Sequence, residues 1–143
     1  MVILNIYALK AVIAARRVAD VAFVTDAIAE PVPGKRLRYE GGAEVSAAGD
    51  CVRKVGAAGG TLCGSCTNLH QTLVTLVNTL RVPLPDAVRM VASNPARIAR
   101  LDDKVGTLEV GKAADLVLMD TDTLRIRGTI VAGRFCYTKD LKC

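Results

Sequence analysis

The chain has 143 residues, 51% of them apolar and 23% charged, with a net charge of +5. That balance excludes intrinsic disorder and fits one globular domain of ordinary length. Aromatic residues are only 3% and Trp is absent, so the core has to be built from Val, Leu, Ile and Ala, and nucleic-acid bases would find little to stack on.

The basic residues are scattered through Arg16-Arg17, Lys35-Arg36, Arg38, Arg53-Lys54, Arg97, Arg100, Arg125 and Arg127. A nucleic-acid partner needs them gathered on one face, so none is expected. No run reaches the roughly 18 uncharged apolar residues of a membrane span, so no membrane partner is expected either. Residues 1–15 lack a basic leader, and Arg16-Arg17 stand where a cleavage site needs small residues. The expected address is cytoplasmic, and the five cysteines are expected as free thiols.

Ile6, Leu9, Ile13 and Ala14 recur near helical spacing and predict an amphipathic helix over 5–18. Val21-Ala22-Phe23-Val24 is a continuous apolar run, the pattern of a parallel strand buried on both faces, with Asp26 just past its end. Residues 30–60 change character. Glu30-Pro31-Val32-Pro33-Gly34 is rich in turn formers, Arg36-Leu37-Arg38-Tyr39 alternates, Gly41-Gly42 breaks the pattern, and Ala43-Glu44-Val45 is placed to pair back. Gly49-Asp50 and Cys51–Val55 suggest a further arm closing at Gly59-Gly60. The whole reads as a β-hairpin insertion.

A second helix is predicted over 67–80, capped by Thr67 or Asn68, with Leu69, Leu73, Leu76, Val77 and Leu80 as its apolar stripe. Pro85 suits the first turn of a third helix that turns Ala87, Val88, Val91 and Ala92 inward. Asn94-Pro95 is expected to stop it, with a short helix restarting over Ala96–Arg100. Beyond about residue 104 the pattern becomes β, with a strand at Leu116–Met119 and a hairpin of Thr129–Val131 and Arg134–Tyr137 around Ala132-Gly133. The domain boundary is expected there, between 1–104 and 105–143.

Several residues bear on chemistry. Spacing alone leaves two readings of Asp26: a turn-capping carboxylate, which it favours, or a group at a strand's C-terminal end, where α/β barrels place their chemistry. Gly64 would let a ligand approach the backbone, and Ser65 and Thr67 precede a helix N-terminus, an arrangement suited to a polar or anionic group; a tight turn plus a cap is the alternative. Cys63-Gly64-Ser65-Cys66 is a C-x-x-C. A zinc site would need two more ligands, yet Cys136 and Cys143 are badly spaced and His70 is the only His. A redox pair would need a βαβ context that is missing. These cysteines are read as small apolar fillers, and His70 as a surface or partner-bonded residue.

Taken in order, Val24-Thr25-Asp26-Ala27, Thr61-Leu62-Cys63-Gly64-Ser65, Asn94-Pro95-Ala96-Arg97, Gly106-Thr107-Leu108, Gly111-Lys112-Ala113-Ala114-Asp115-Leu116 and Gly133-Arg134 resemble the C-terminal portion of an amidohydrolase, most closely of the N-acetylglucosamine-6-phosphate deacetylase family. The resemblance runs from about residue 5 to about residue 138. It implies an α/β fold: the C-terminal part of a (β/α)8 metal-dependent hydrolase barrel, left incomplete, followed by strands of a small β-sandwich domain. It implies that Asp26 is the general acid/base, shuttling a proton from the attacking water to the leaving amine. It implies substrate contacts from Leu62, Cys63 and Gly64, although the family carries a small residue where Cys63 stands. The Asn94–Arg97 and Gly106–Leu116 blocks are shared across amidohydrolases and are assigned to architecture, with Asp115 bonding turn amides.

The implied substrate is an amino-sugar phosphate whose acetyl group is removed. The implied cofactor is a divalent metal, zinc or iron, held in the family by a Glu and two His on earlier strands. No metal ligand is assigned within this chain, so the isolated polypeptide is expected to be inactive, and its exposed barrel faces make a homodimer part of the expectation. Two alternatives are a non-catalytic remnant or interaction module and another amidohydrolase of dihydroorotase type.

Overall fold

The structure is a computed structural model that describes residues 5–28, 36–38, 42, 44–48, 51–56 and 60–139. The expected turn at 30–34, Tyr39, Gly41, Ala43, Gly49-Asp50, Gly59 and Cys143 lie outside the described residues. Two compact units are present, residues 1–91 and 92–143. Both are α/β, each carrying one antiparallel sheet and helices.

In the first unit, helix α1 spans Ile6–Ala15 and starts where the Asn5 side chain accepts a hydrogen bond from the Tyr7 amide. Leu9 is its buried residue, and Ala14, expected inward, is exposed. A short 3-10 turn, Val18–Asp20, follows. It is stapled by Arg17, whose Nε and Nη2 donate to the two Asp20 carboxylate oxygens at 2.9 and 3.1 Å.

The strand expected over residues 21–24 is not formed. These residues run extended, but among the described residues the only ladder contact nearby is a single parallel bridge between Ala27 and Ser65. Val21 and Phe23 are buried while Val24 is 71% exposed. An apolar run forms a strand buried on both faces only where strands lie on both sides of it. Here the Phe23 amide donates to the carbonyl of Met90, a residue within a π turn, at 2.9 Å, so a helical segment holds the chain where a ladder was expected.

The expected hairpin arms appear as β1 (Arg36–Arg38), β2 (Glu44–Ala48) and β3 (Cys51–Lys54). A fourth strand, β4, spans Leu62–Ser65, where one reading of the sequence was a tight turn. The four pair in chain order, all antiparallel. The β3–β4 register slips after Val52, so that Gly64 lies opposite Val52 and Leu62 opposite Arg53. Cys63 is therefore the extra residue of a bulge. The sheet's buried cluster is Val45, Val52 and Cys66, with Ile28, Ala47 and Cys63 packed against it.

Helix α2, Leu69–Val74, widens into a π turn at Thr75–Thr79. Of the two candidate caps it is Asn68 that acts: its side chain accepts from the Gln71 amide, and the Gln71 side chain accepts from the Asn68 amide, a capping box. Leu73 and Leu76 of the expected stripe are buried and Leu69 is exposed. Helix α3, Leu84–Val88, carries Pro85 in its first turn as expected and buries Ala87.

Asn94-Pro95 does not stop the helix. Residues 89–93 form a π turn, Ser93 keeps helical dihedrals, and α4 begins at Asn94 and runs to Ile98. A widened turn absorbs the ring and the missing N–H of a proline without breaking the helix. The second unit then forms β5 (Leu116–Met119), β6 (Ile126–Val131) and β7 (Arg134–Thr138), an antiparallel meander in chain order. Ala132 and Gly133, both at positive φ, make the β6–β7 turn.

Candidate functional site

Asp26 closes the extended segment. Its φ of 49° lies in the left-handed region, which Asp and Asn visit more readily than other side chains but which still costs about 1–2 kcal/mol. Two hydroxyls secure the chain on either side of it. Thr25 Oγ1 accepts from the Ala27 amide at 3.3 Å, closing a hydroxyl turn around the strained residue. Ser65 Oγ donates to the Thr25 carbonyl. The Ser65 amide donates to the Asp26 carbonyl at 2.9 Å, and the Ile28 amide returns a bond to the Ser65 carbonyl at 3.1 Å.

Asp26 is exposed and lines a cavity of about 310 Å³. Leu9 and Val12 of α1, the extended segment 21–25, and Ser65, Thr67 and Thr72 complete the wall. The wall is mainly apolar, with Thr25, Asp26, Ser65, Thr67 and Thr72 as its polar residues. That is the usual composition of a small-molecule site, where a few placed polar groups fix orientation.

The structure brings Asp26 and the Leu62–Gly64 tripeptide together. A Cβ built on Gly64 would stand 2.9 Å from Ile28 Cγ1 and 3.0 Å from the Asp26 carbonyl oxygen. The missing side chain at 64 therefore makes room for this chain's own 26–28 segment. Cys63 turns inward: its thiol donates to the Thr61 carbonyl at 3.4 Å and its side chain packs on the sheet cluster. Leu62 is 38% exposed. Ser65, which sequence reasoning took for a helix-flanking polar group, is the residue that ties the two motifs. The only trace of this in the sequence is its place beside Gly64.

The architectural motifs also meet one another, within the second unit. Gly106 stands at φ 96°, and a Cβ there would lie 2.7 Å from Ala96 Cβ. Ser93 Oγ donates to the Gly106 carbonyl at 2.7 Å. Asp115 Oδ1 accepts from the Ala132 amide at 2.7 Å, the turn bond expected of it, and the Gly133 amide donates to the Ala114 carbonyl. Asp120 accepts from the Thr123 amide and hydroxyl, from the Asp122 amide and from Arg127. The Thr123 bonds, first of all the backbone one, hold its carboxyl below the usual range.

Among the described residues no group of three or more His, Cys, Asp or Glu could hold a metal ion. His70 is half-buried on α2. The described residues thus do not by themselves fit a divalent cation. Among them, no helix is long and apolar enough to cross a membrane.

The order of motifs and the α/β architecture are those expected of an amidohydrolase. The chain belongs to that family, whose model matches residues 4–136. A Haemophilus influenzae N-acetylglucosamine-6-phosphate deacetylase is 32% identical over 78 residues, covering 54% of this chain and 20% of that protein. A Mycobacterium tuberculosis dihydroorotase is 37% identical over 89 residues, covering 62% of this chain and 20% of that protein. Among solved structures, N-acetylglucosamine-6-phosphate deacetylase from Pasteurella multocida superposes with a TM-score of 0.82 at 23% identity, over 95% of this chain and 34% of the other. A mutant of the Mycobacterium smegmatis deacetylase, in complex with N-acetyl-D-glucosamine-6-phosphate, gives 0.77 at 25% identity, over 90% of this chain and 34% of the other. The chain spans about a fifth of the length of the curated relatives it matches and about a third of these structures.

Proposed function

We propose that this chain carries the C-terminal portion of an N-acetylglucosamine-6-phosphate deacetylase. In this reading residues 1–104 are the last segment of a (β/α)8 barrel with an inserted sheet, and residues 105–143 are strands of its small β-sandwich domain. The reaction is hydrolysis of the acetyl amide of an amino-sugar phosphate. Asp26 takes a proton from the attacking water and returns it to the leaving amine, a role that needs a carboxylate at hydrogen-bond reach of both. The contact made by Leu62, Cys63 and Gly64 runs through main chain and the Leu62 side chain, because the Cys63 thiol is directed into its own sheet.

The observation that carries the reading is the position of Asp26: at the end of the extended segment, on the wall of a cavity, against the Leu62–Ser65 strand. In this reading zinc or iron is held by a Glu and two His that this chain does not supply, and the chain alone is inactive. Self-association into a homodimer and a cytoplasmic address complete the proposal.

The test is an acetate-release assay on N-acetylglucosamine 6-phosphate with added zinc or ferrous iron. The purified chain should give no turnover. A chimera joining it to the preceding two thirds of a deacetylase should turn over, and Asp26→Asn should lower kcat by 100-fold or more, roughly the worth of a general acid/base. Turnover by the chain alone, or full activity of the Asp26→Asn chimera, overturns the proposal. A second reading, dihydroorotase, rests on the weaker sequence match, 37% identity over 89 residues, to that enzyme. Cyclisation of carbamoyl aspartate by a chimera with dihydroorotase, and no deacetylation by the first, would establish it.

A further inference from the structure

Ser65 is 1% exposed and makes four hydrogen bonds, three of them to the segment that carries Asp26. Its hydroxyl donates to the Thr25 carbonyl and accepts from the Thr67 amide at 3.2 Å. Its amide donates to the Asp26 carbonyl at 2.9 Å, and its carbonyl accepts from the Ile28 amide at 3.1 Å. The peptide planes on both sides of Asp26 Cα, those of the Thr25 and Asp26 carbonyls, are thus held by one residue. A buried hydroxyl that satisfies both a donor and an acceptor has a fixed orientation. Asp26 needs such support, because its left-handed dihedral is unfavourable for a side chain and persists only where its surroundings impose it.

From these bonds we infer that Ser65 is the positioning residue for Asp26, fixing its backbone so that the carboxylate stays at the cavity wall. This rests on the proposed role of Asp26, but the geometry stands apart from it. Ser65 touches no reacting atom in this scheme. It acts through the main chain of Thr25 and Asp26. The nearby Thr25 hydroxyl turn closes the same loop from the other side. The cavity wall includes Ser65 as well as Asp26, so the clamp and the clamped residue belong to one surface.

The test uses NMR on the 143-residue chain and needs no enzymatic activity, so its failure is distinct from failure of the deacetylase assay. In Ser65→Ala the Thr67 amide loses its protection. Exchange at the Ala27 amide should quicken by about tenfold, the effect of losing roughly one good hydrogen bond. The Asp26 Cα and Cβ shifts should leave the left-handed range. Val82→Ala trims a buried residue of the same unit that makes none of these bonds and does not line the cavity, and should lower stability while leaving the Asp26 signals in place. Unmoved Asp26 signals in folded Ser65→Ala, or equal movement in Val82→Ala, overturn the inference. Where Ser65→Ala does not fold, Ser65→Cys keeps the volume with a weak donor: displaced Asp26 signals support the clamp, and unmoved ones overturn it.

Discussion

The motif residues of the two units are packed in different ways. In residues 92–143 motif residues answer one another at two places: Ala96 fills the space over Gly106, and the Gly133 amide donates to the Ala114 carbonyl while Asp115 holds the same turn through Ala132. In residues 1–91 Asp26 and Gly64 also meet, yet the segment bearing Asp26 has one ladder bridge and an exposed Val24. The architectural motifs complete one another within their unit. The chemical motif is fixed at one end, by Ser65, and open along its edge.

The comparison can be broken most sharply at Gly106. Ala there combines a positive φ with a 2.7 Å approach to Ala96, and should destabilise the second unit by about 3 kcal/mol. Chemical denaturation would register it, and a neutral result would remove the claim that these motifs lock together. Next is Gly64→Ala, whose Cβ would press on Ile28 and the Asp26 carbonyl. Overpacking of this kind costs about 2 kcal/mol and should loosen the Ile28 amide in hydrogen exchange. If the loop at 26–28 is undisturbed, the reading of Gly64 as a packing glycine falls.

A smaller loss, about 1 kcal/mol, is expected for Asp115→Ala, which leaves the Ala132 amide to water. It should broaden the β6–β7 turn in NMR without touching Asp26. The smallest effect is with pH. Asp120 has a carboxyl pKa below its ordinary value, so its stabilising effect is complete above the ordinary range near 3.9 and is lost as pH falls through the lower folded value. Acid titration should therefore release the 120–123 turn below about pH 3.9, and Asp120→Asn should remove that step.

Much of this was legible in the chain. Helical spacing placed α1 and α2, Asn68 stood where a cap is needed, an apolar run placed β5, and the Ala132-Gly133 turn placed the β6–β7 hairpin. These are local signals, set by side-chain periodicity and by the few residues that tolerate turns. The strand expected at 21–24 was not, because an apolar run records what a segment can bury and not whether neighbours arrive to pair with it. β4 was missed for the converse reason: its pattern is too short and too glycine-containing to read as a strand until β3 is beside it.

The sequence by itself determined the elements, the order of motifs and the residue types capable of chemistry. Tertiary structure decided what each of those residues faces. It turned Cys63 into the sheet, used Gly64 to admit Ile28, and made Ser65 the anchor of a segment 40 residues earlier. Contacts over such a separation depend on how the chain closes in space, and no local spacing rule carries that information.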